Sequence, residues 1–157
     1  VKPLPVIING SNGRMGQTLL KCASEDPELE VSAGLDLGDD LAKALEKAEA
    51  VIDFTHATAT VQIAEQCASA GKILVMGTTG HDAAAREAIT NCSKKIPIVF
   101  APNFSVGVNT LFWLARKATE ILGDSFDIEV VEMHHRLKKD APSGTARRLA
   151  EILAETR

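Results

Sequence analysis

Short apolar, β-branched runs alternate with stretches patterned for helix along this chain. That alternation constrains the fold more than any other feature. Residues 4–9, 29–35, 50–54, 72–76, 96–100 and 127–133 read as strands. Between them apolar residues recur at helical spacing: Leu19, Leu20 and Ala23, then a short segment at 38–47, then Val61, Ile63, Ala64 and Cys67. An alanine-rich helix at 81–92 follows, and Ser105 caps a long helix through Leu111, Leu114, Ala118 and Leu122. Apolar strands separated by helices predict an α/β protein: a Rossmann-like, mostly parallel sheet with helices on both faces. Pro97 puts the fifth strand at an edge, or marks that strand's start.

In such sheets ligands bind beyond the carboxyl ends of the strands. The polar, glycine-rich turns at 10–16, 54–58, 77–80 and 101–105 all follow strands. Gly10, Gly13 and Gly16 open a helix directly after the first strand, around Ser11, Asn12, Arg14 and Met15. Glycines here permit a tight bend, a close approach of backbone to phosphate and close packing of helix on sheet. A pyrophosphate would rest on the helix N-terminus. The spacing is GxxGxxG rather than GxGxxG, with Asn12 where a further glycine is often found. Asp36 closes the second strand, where a carboxylate accepts hydrogen bonds from ribose hydroxyls and repels a 2′-phosphate. Leu37, Gly38, Asp39 and Asp40 follow it and supply no cation for such a phosphate. NADH is therefore the expected cofactor, with NADPH possible. Gly77, Thr78, Thr79 and Gly80 leave room for the nicotinamide half. Thr55 and His56 close the third strand, with His56 read as a polar loop residue. Ala101, Pro102, Asn103 and Phe104 end the fifth strand and are read as cofactor-binding, with Phe104 either near the nicotinamide or in core packing.

The other distinctive stretch runs from Glu132 to Ala146 and crowds His134, His135, Arg136, Lys138 and Lys139 together. Pro142 breaks what precedes it, and Ser143 caps a helix through Ala146, Leu149, Ile152 and Leu153. N–H groups freed at Gly144 and Thr145 make an anion site beside proton donors, a pocket for a small acid. His134 and Lys138 share a face if the loop is helical, and equally if it is extended. Histidine exchanges protons near neutrality, and burial can lower a lysine's pKa enough to make it a donor.

The chain has 157 residues and a formal charge of -4, so general nucleic-acid binding is not expected. Cys22, Cys67 and Cys92 form neither a CxxC pair nor a metal pattern and read as buried thiols in a reducing compartment. No metal site is expected. No apolar run approaches a membrane span and no signal peptide is visible, which points to a cytoplasmic protein.

These motifs resemble one family, the 4-hydroxy-tetrahydrodipicolinate reductases, also called dihydrodipicolinate reductases, of lysine biosynthesis. Gly-Ser-Asn-Gly-Arg-Met-Gly at 10–16, Ile-Asp-Phe-Thr at 52–55, Gly-Thr-Thr-Gly at 77–80 and Pro-Asn-Phe-Ser-Val-Gly-Val-Asn at 102–109 are similar to its cofactor segments. Residues 132–146 are similar to its signature EAHHRHKxDAPSGTA. The resemblance implies that Gly10, Arg14 and Met15 lie in the cofactor turn, that Asp36 holds the ribose, and that Gly77, Thr79, Ala101 and Phe104 border the nicotinamide. It implies general acid/base work for His134, proton donation by Lys138, and substrate carboxylate contacts for His135, Gly144 and Thr145. It further implies a small dicarboxylate substrate, NADH or NADPH, and a homotetramer. Leu137 and Lys139 depart from the family pattern, and the segment between Asp36 and Ile52 is short. Expected domains are a dinucleotide-binding domain at 1–104 and, at 105–157, the beginning of a mixed-sheet α/β substrate domain that family members continue. Other NAD-linked oxidoreductases, such as amino-acid dehydrogenases, share the first domain but do not account for residues 134–145. A dinucleotide-binding fragment without catalysis is the remaining alternative.

Overall fold

The computed structural model describes residues 2–136, 138 and 141–157. Packing divides it into two units, one ending at Ala101 and the other running Pro102–Arg157. Pro102, Asn103 and Phe104, which the sequence groups with the first domain, thus pack with the second unit.

The first unit is a five-stranded parallel sheet built from β1 (Leu4–Asn9), β2 (Leu29–Leu35), β3 (Ala50–Asp53), β4 (Ile73–Met76) and β5 (Ile98–Phe100), in the order β2-β1-β3-β4-β5. The strand order reverses between β1 and β3, which opens a crevice at their carboxyl ends. β5 lies at the edge and starts at the residue after Pro97, so the missing N–H of proline costs no ladder bond. Helices α1 (Arg14–Glu25), α2 (Leu41–Leu45), α3 (Ala57–Ala70) and α4 (Ala83–Ser93) connect the strands.

Side chains alternate between faces along each strand. Ile7, Val51, Leu74 and Met76 point to one face and are buried with Leu45, Ile63, Ala64, Cys67 and Ile89. Val6, Ile8 and Ala50 point to the other, where Leu19 and Leu20 of α1 pack on them. That second face is left open at the β5 edge, where Val99 is exposed. Cys67 and Cys92 are buried as expected, and burial pushes the Cys67 thiol up to about 12. Cys22 is a correction: it is exposed, because it lies off the stripe of α1 formed by Leu19, Leu20 and Ala23.

In the second unit α5 (Val106–Leu122) packs against α6 (Gly144–Thr156), burying Phe112, Thr119 and Ile152. Burial of Phe112 and Ile152 stabilises the pair by about 1.5–3 kcal/mol each. The strand expected at 127–133 is a second correction. Its backbone is in no ladder among the described residues, and Val131 and Met133 are exposed. Its β-branched composition suits extended backbone, but a strand exists only with a neighbour to pair with. No described helix is long and apolar enough to cross a membrane.

Candidate functional site

The glycine turn is built as its sequence requires. Gly10 has a φ of 85°, and a side chain there would place its first carbon 2.7 Å from the Phe54 carbonyl oxygen. A first side-chain carbon at Gly16 would stand 2.1 Å from the Gly10 carbonyl oxygen, so only glycine lets α1 start this close to the turn. Gly13 is the N-cap of α1 and offers no side-chain cap. The first N–H groups of α1 therefore keep their capacity for an external acceptor, and an anionic pyrophosphate fits that donor set. Asn12, Arg14 and Met15 are exposed around the helix start, whereas Ser11 is buried.

Asp36 stands at the end of β2, and part of it is spent on the turn. Its Oδ2 accepts the Ser11 hydroxyl at 2.6 Å and the Asn12 N–H at 2.9 Å. Among the described residues Oδ1 takes no hydrogen bond, which leaves it for a ribose hydroxyl. Leu37 beside it is fully exposed.

The ends of β1, β3 and β4 meet at a group the sequence analysis did not single out. Asp53 is fully buried. Its Oδ1 accepts the Asn9 amide at 3.0 Å and the Thr55 hydroxyl at 2.8 Å, while Oδ2 accepts the Thr78 hydroxyl at 2.9 Å. Burial raises its pKa, and those hydrogen bonds oppose the rise. The Thr78 hydroxyl is thus turned inward, while Thr79 and Gly80 are exposed and Gly77 is half-buried. The signal was available: an acid inside the apolar run 50–54 is either misplaced or hydrogen-bonded.

His81 was also missed. It is buried, with Nε2 2.6 Å from the Thr60 hydroxyl and its ring edge-on to Phe100 at 5.1 Å. The Thr60 hydroxyl donates to the Ala57 carbonyl, so it is His81 Nε2 that carries the hydrogen in their contact. Burial lowers the His81 pKa. His56 is the exposed N-cap of α3, its Nδ1 accepting from Thr58. Ala101 donates its N–H to Met76 at 3.2 Å and continues the sheet edge.

In the second unit Ser143 is the N-cap of α6 and accepts the Ala146 N–H at 3.1 Å. Behind it stands Glu132, which takes the Ser143 N–H at 2.8 Å and the Ser143 hydroxyl at 2.6 Å. These bonds, the hydroxyl first, hold the Glu132 carboxyl below its ordinary range. His134 Nδ1 lies 3.5 Å from Glu132 Oε2. The Thr145 hydroxyl accepts from Asn103 at 3.4 Å, and Asn103 also accepts the Ser105 N–H at 2.8 Å, so one amide touches the starts of α5 and α6. Phe104 is exposed.

The Lys138 N–H donates to the His135 carbonyl at 3.1 Å, which closes a turn. His134 and His135 are exposed and Lys138 is half-buried. Leu137 and Lys139, singled out in the sequence, lie outside the described residues. The second unit therefore brings Glu132, His134, Ser143, Gly144 and Thr145 together.

Two family descriptions together match most of the chain. The family described as "Dihydrodipicolinate reductase, N-terminus" matches residues 4–104, and "Dihydrodipicolinate reductase, C-terminus" matches residues 107–157. Over 151 residues the chain is 50% identical to a 4-hydroxy-tetrahydrodipicolinate reductase of Akkermansia muciniphila, covering 96% of this chain and 61% of that protein. It is 44% identical over 173 residues to the reductase of the same name from Anaeromyxobacter dehalogenans, covering 96% and 64%. The chain thus spans less than two thirds of the length of these curated relatives. Among solved structures, the dipicolinate-bound dihydrodipicolinate reductase from Paenisporosarcina sp. TG-14 superposes with a TM-score of 0.78 at 29% identity, covering 99% of this chain and 67% of that one. GenD2 from gentamicin A biosynthesis, solved in complex with NAD, shares the fold at 21% identity and a TM-score of 0.55, covering 73% and 39%. On the strength of the matches across both of its units, the chain belongs to the dihydrodipicolinate reductase family.

Proposed function

We propose that the protein carrying this chain reduces 4-hydroxy-tetrahydrodipicolinate to tetrahydrodipicolinate, the 4-hydroxyl leaving as water, with NADH preferred over NADPH, in diaminopimelate and lysine biosynthesis. It acts in the cytoplasm, as the homotetramer usual for its family. The observation that carries this reading is the Ser143-capped start of α6, with its Gly144 and Thr145 N–H groups, in one unit with the histidine pair. A dicarboxylate is matched by such N–H donors together with cations.

The cofactor half of the reading rests on the uncapped helix start at Gly13 and on Asp36 at the end of β2. The first N–H groups of α1 hold the pyrophosphate, and Asp36 holds the adenosine ribose. Gly77, Thr78, Thr79, Ala101, Pro102, Asn103 and Phe104 border the nicotinamide half. When bound, the reduced nicotinamide supplies the hydride. His135, Gly144 and Thr145 bind the carboxylates and orient the ring. Lys138 delivers a proton to the electron-rich atom left by reduction, and His134 does general acid/base work.

Oxidation of each reduced cofactor by the intact protein, with freshly generated dihydrodipicolinate synthase product as substrate, tests the reading. No turnover with either cofactor sinks it. Calorimetry with pyridine-2,6-dicarboxylate, a planar mimic of the product ring, tests the anion site separately. Gly144→Val crowds that site and should weaken the mimic while NADH binds as before; unchanged affinity for the mimic removes Gly144 from it.

A further inference from the structure

Glu132 stands where the extended stretch of the second unit meets the start of α6. Its two carboxylate oxygens are divided between two donors of a single residue, the N–H and the hydroxyl of Ser143. Ser143 is buried, and the Glu132 side chain is only 25% exposed. A serine N-cap needs no carboxylate behind it to hold its oxygen on the helix. The added acceptor does something else. It fixes the hydroxyl hydrogen and the N–H of the same residue, so Ser143 neither rotates nor donates elsewhere.

The consequence falls on the next two residues. First-turn N–H groups have no acceptor within their own helix, and the residue that begins the helix sets their direction. Gly144 lacks a side chain that would otherwise fix the entry angle. The clamp on Ser143 replaces it. Glu132 Oε2 also lies 3.5 Å from His134 Nδ1. A carboxylate on that side of the ring favours the Nδ1–H tautomer and leaves Nε2 for proton exchange. The carboxylate does not undo the anion site, because its charge is taken up by two hydrogen bonds and offset by Lys138.

We infer that Glu132 is the positioning residue of the dicarboxylate site: through Ser143 it aims the first N–H groups of α6, and beside His134 it orients the imidazole. This rests on the reading that those groups receive the substrate.

The test compares Glu132→Ala, Glu132→Gln, Ser143→Ala and the Glu132→Ala/Ser143→Ala pair in the intact protein. Steady-state kinetics and calorimetry with pyridine-2,6-dicarboxylate are the readouts. Glu132→Ala should raise KM and the dissociation constant of the mimic about tenfold, the scale of a lost charge-assisted hydrogen bond, with NADH affinity unchanged. Glu132→Gln keeps its volume and one acceptor for the Ser143 N–H, and should recover most of the affinity, leaving a rise of about threefold. The paired variant should lose less than the sum of the single losses, because both act through one clamp. A merely structural role lowers the active fraction, and hence kcat, while KM and the dissociation constant stay in place. That result, or full additivity in the pair, overturns the inference. If Glu132→Ala does not fold, Glu132→Gln decides, and wild-type affinity in it overturns the inference as well. Wild-type protein that does not bind the mimic removes the underlying reading together with the inference. Wild-type binding with equally tight Glu132 variants removes the inference alone.

Discussion

Asp53 in the first unit and Glu132 in the second are both carboxylates that accept hydroxyl hydrogens, yet they are shifted in opposite directions. Asp53 accepts from three side chains, two of them on residues distant in sequence, and is fully buried, and desolvation outweighs its hydrogen bonds. Glu132 is half-buried and takes two donors from one serine, and there the hydrogen bonds win. Both carboxylates accept hydrogen bonds that lower the pKa, so burial decides the sign. The difference matches what each unit does with its polar groups. The first unit ties its turns down from below with an interior network. The second presents His134 and His135 to solvent and braces them from behind.

The largest effects should come from the exposed side of that comparison. Lys138→Ala and His134→Gln should each lower kcat by roughly 10²–10³-fold, the scale of a lost acid/base group, with NADH affinity unmoved. Normal kcat in either variant removes that residue from the chemistry. On the buried side, Asp53→Leu leaves the Asn9 amide and the Thr55 and Thr78 hydroxyls without their acceptor. It should destabilise the first unit by about 3 kcal/mol and weaken NADH, read by denaturant unfolding and cofactor fluorescence. A stable variant with wild-type NADH affinity would show that the network does not hold the turns.

A smaller effect sharpens the difference in ligand charge between the units. With Asp36 followed by Leu37, Gly38, Asp39 and Asp40, NADH should bind about tenfold tighter than NADPH, equivalent to about 1.4 kcal/mol. Leu37→Arg should narrow the gap, since Leu37 is exposed and an arginine there meets a 2′-phosphate. Equal binding of the two cofactors by the wild type breaks the assignment of Asp36 and Leu37.

The smallest effect is the most diagnostic. Asp53 has a raised folded-state pKa, so its contribution to stability is fully present below its unfolded pKa and is lost as pH rises through the folded value. Glu132 has a lowered one, so its contribution is present above its unfolded pKa and is lost as pH falls through the folded value. Across the acid range, Asp53→Asn should gain on wild type as pH rises, and Glu132→Gln should fall behind. Thermal unfolding curves in which both variants move the same way contradict the comparison.

Much of the first unit is legible in the sequence because its strands are apolar on both faces and its turns carry glycine where the backbone demands it. Pro97 located both the start of β5 and its edge position. The sequence did not separate extended from paired backbone at 127–133, since β-branched composition reports conformation and not the presence of a neighbour. Cys22 was misread because a thiol in a helix was taken as buried although it lies off the Leu19, Leu20 and Ala23 stripe that the spacing had marked. At the site, composition pointed to the cations and the helix start. Glu132 stayed unread because its partner Ser143 lies across a turn whose geometry no local pattern encodes. Asp36 was read for an outside ligand, while half of it serves the turn itself.

The Asp53 network also acts as a proofreader of strand alignment. In the native register Asn9 stands beside Asp53 on β1 and β3, and Asp53 beside Met76 on β4. A slip of β3 by one residue turns Asp53 to the opposite face and puts Ile52 or Phe54 under the turns. The donors on Asn9 and Thr78 then face hydrocarbon, a penalty that apolar strands such as Ala50-Val-Ile cannot impose by themselves, since either of their faces is greasy enough to be buried. Misaligned sheets are thus rejected during folding by a polar group at the ligand-facing end.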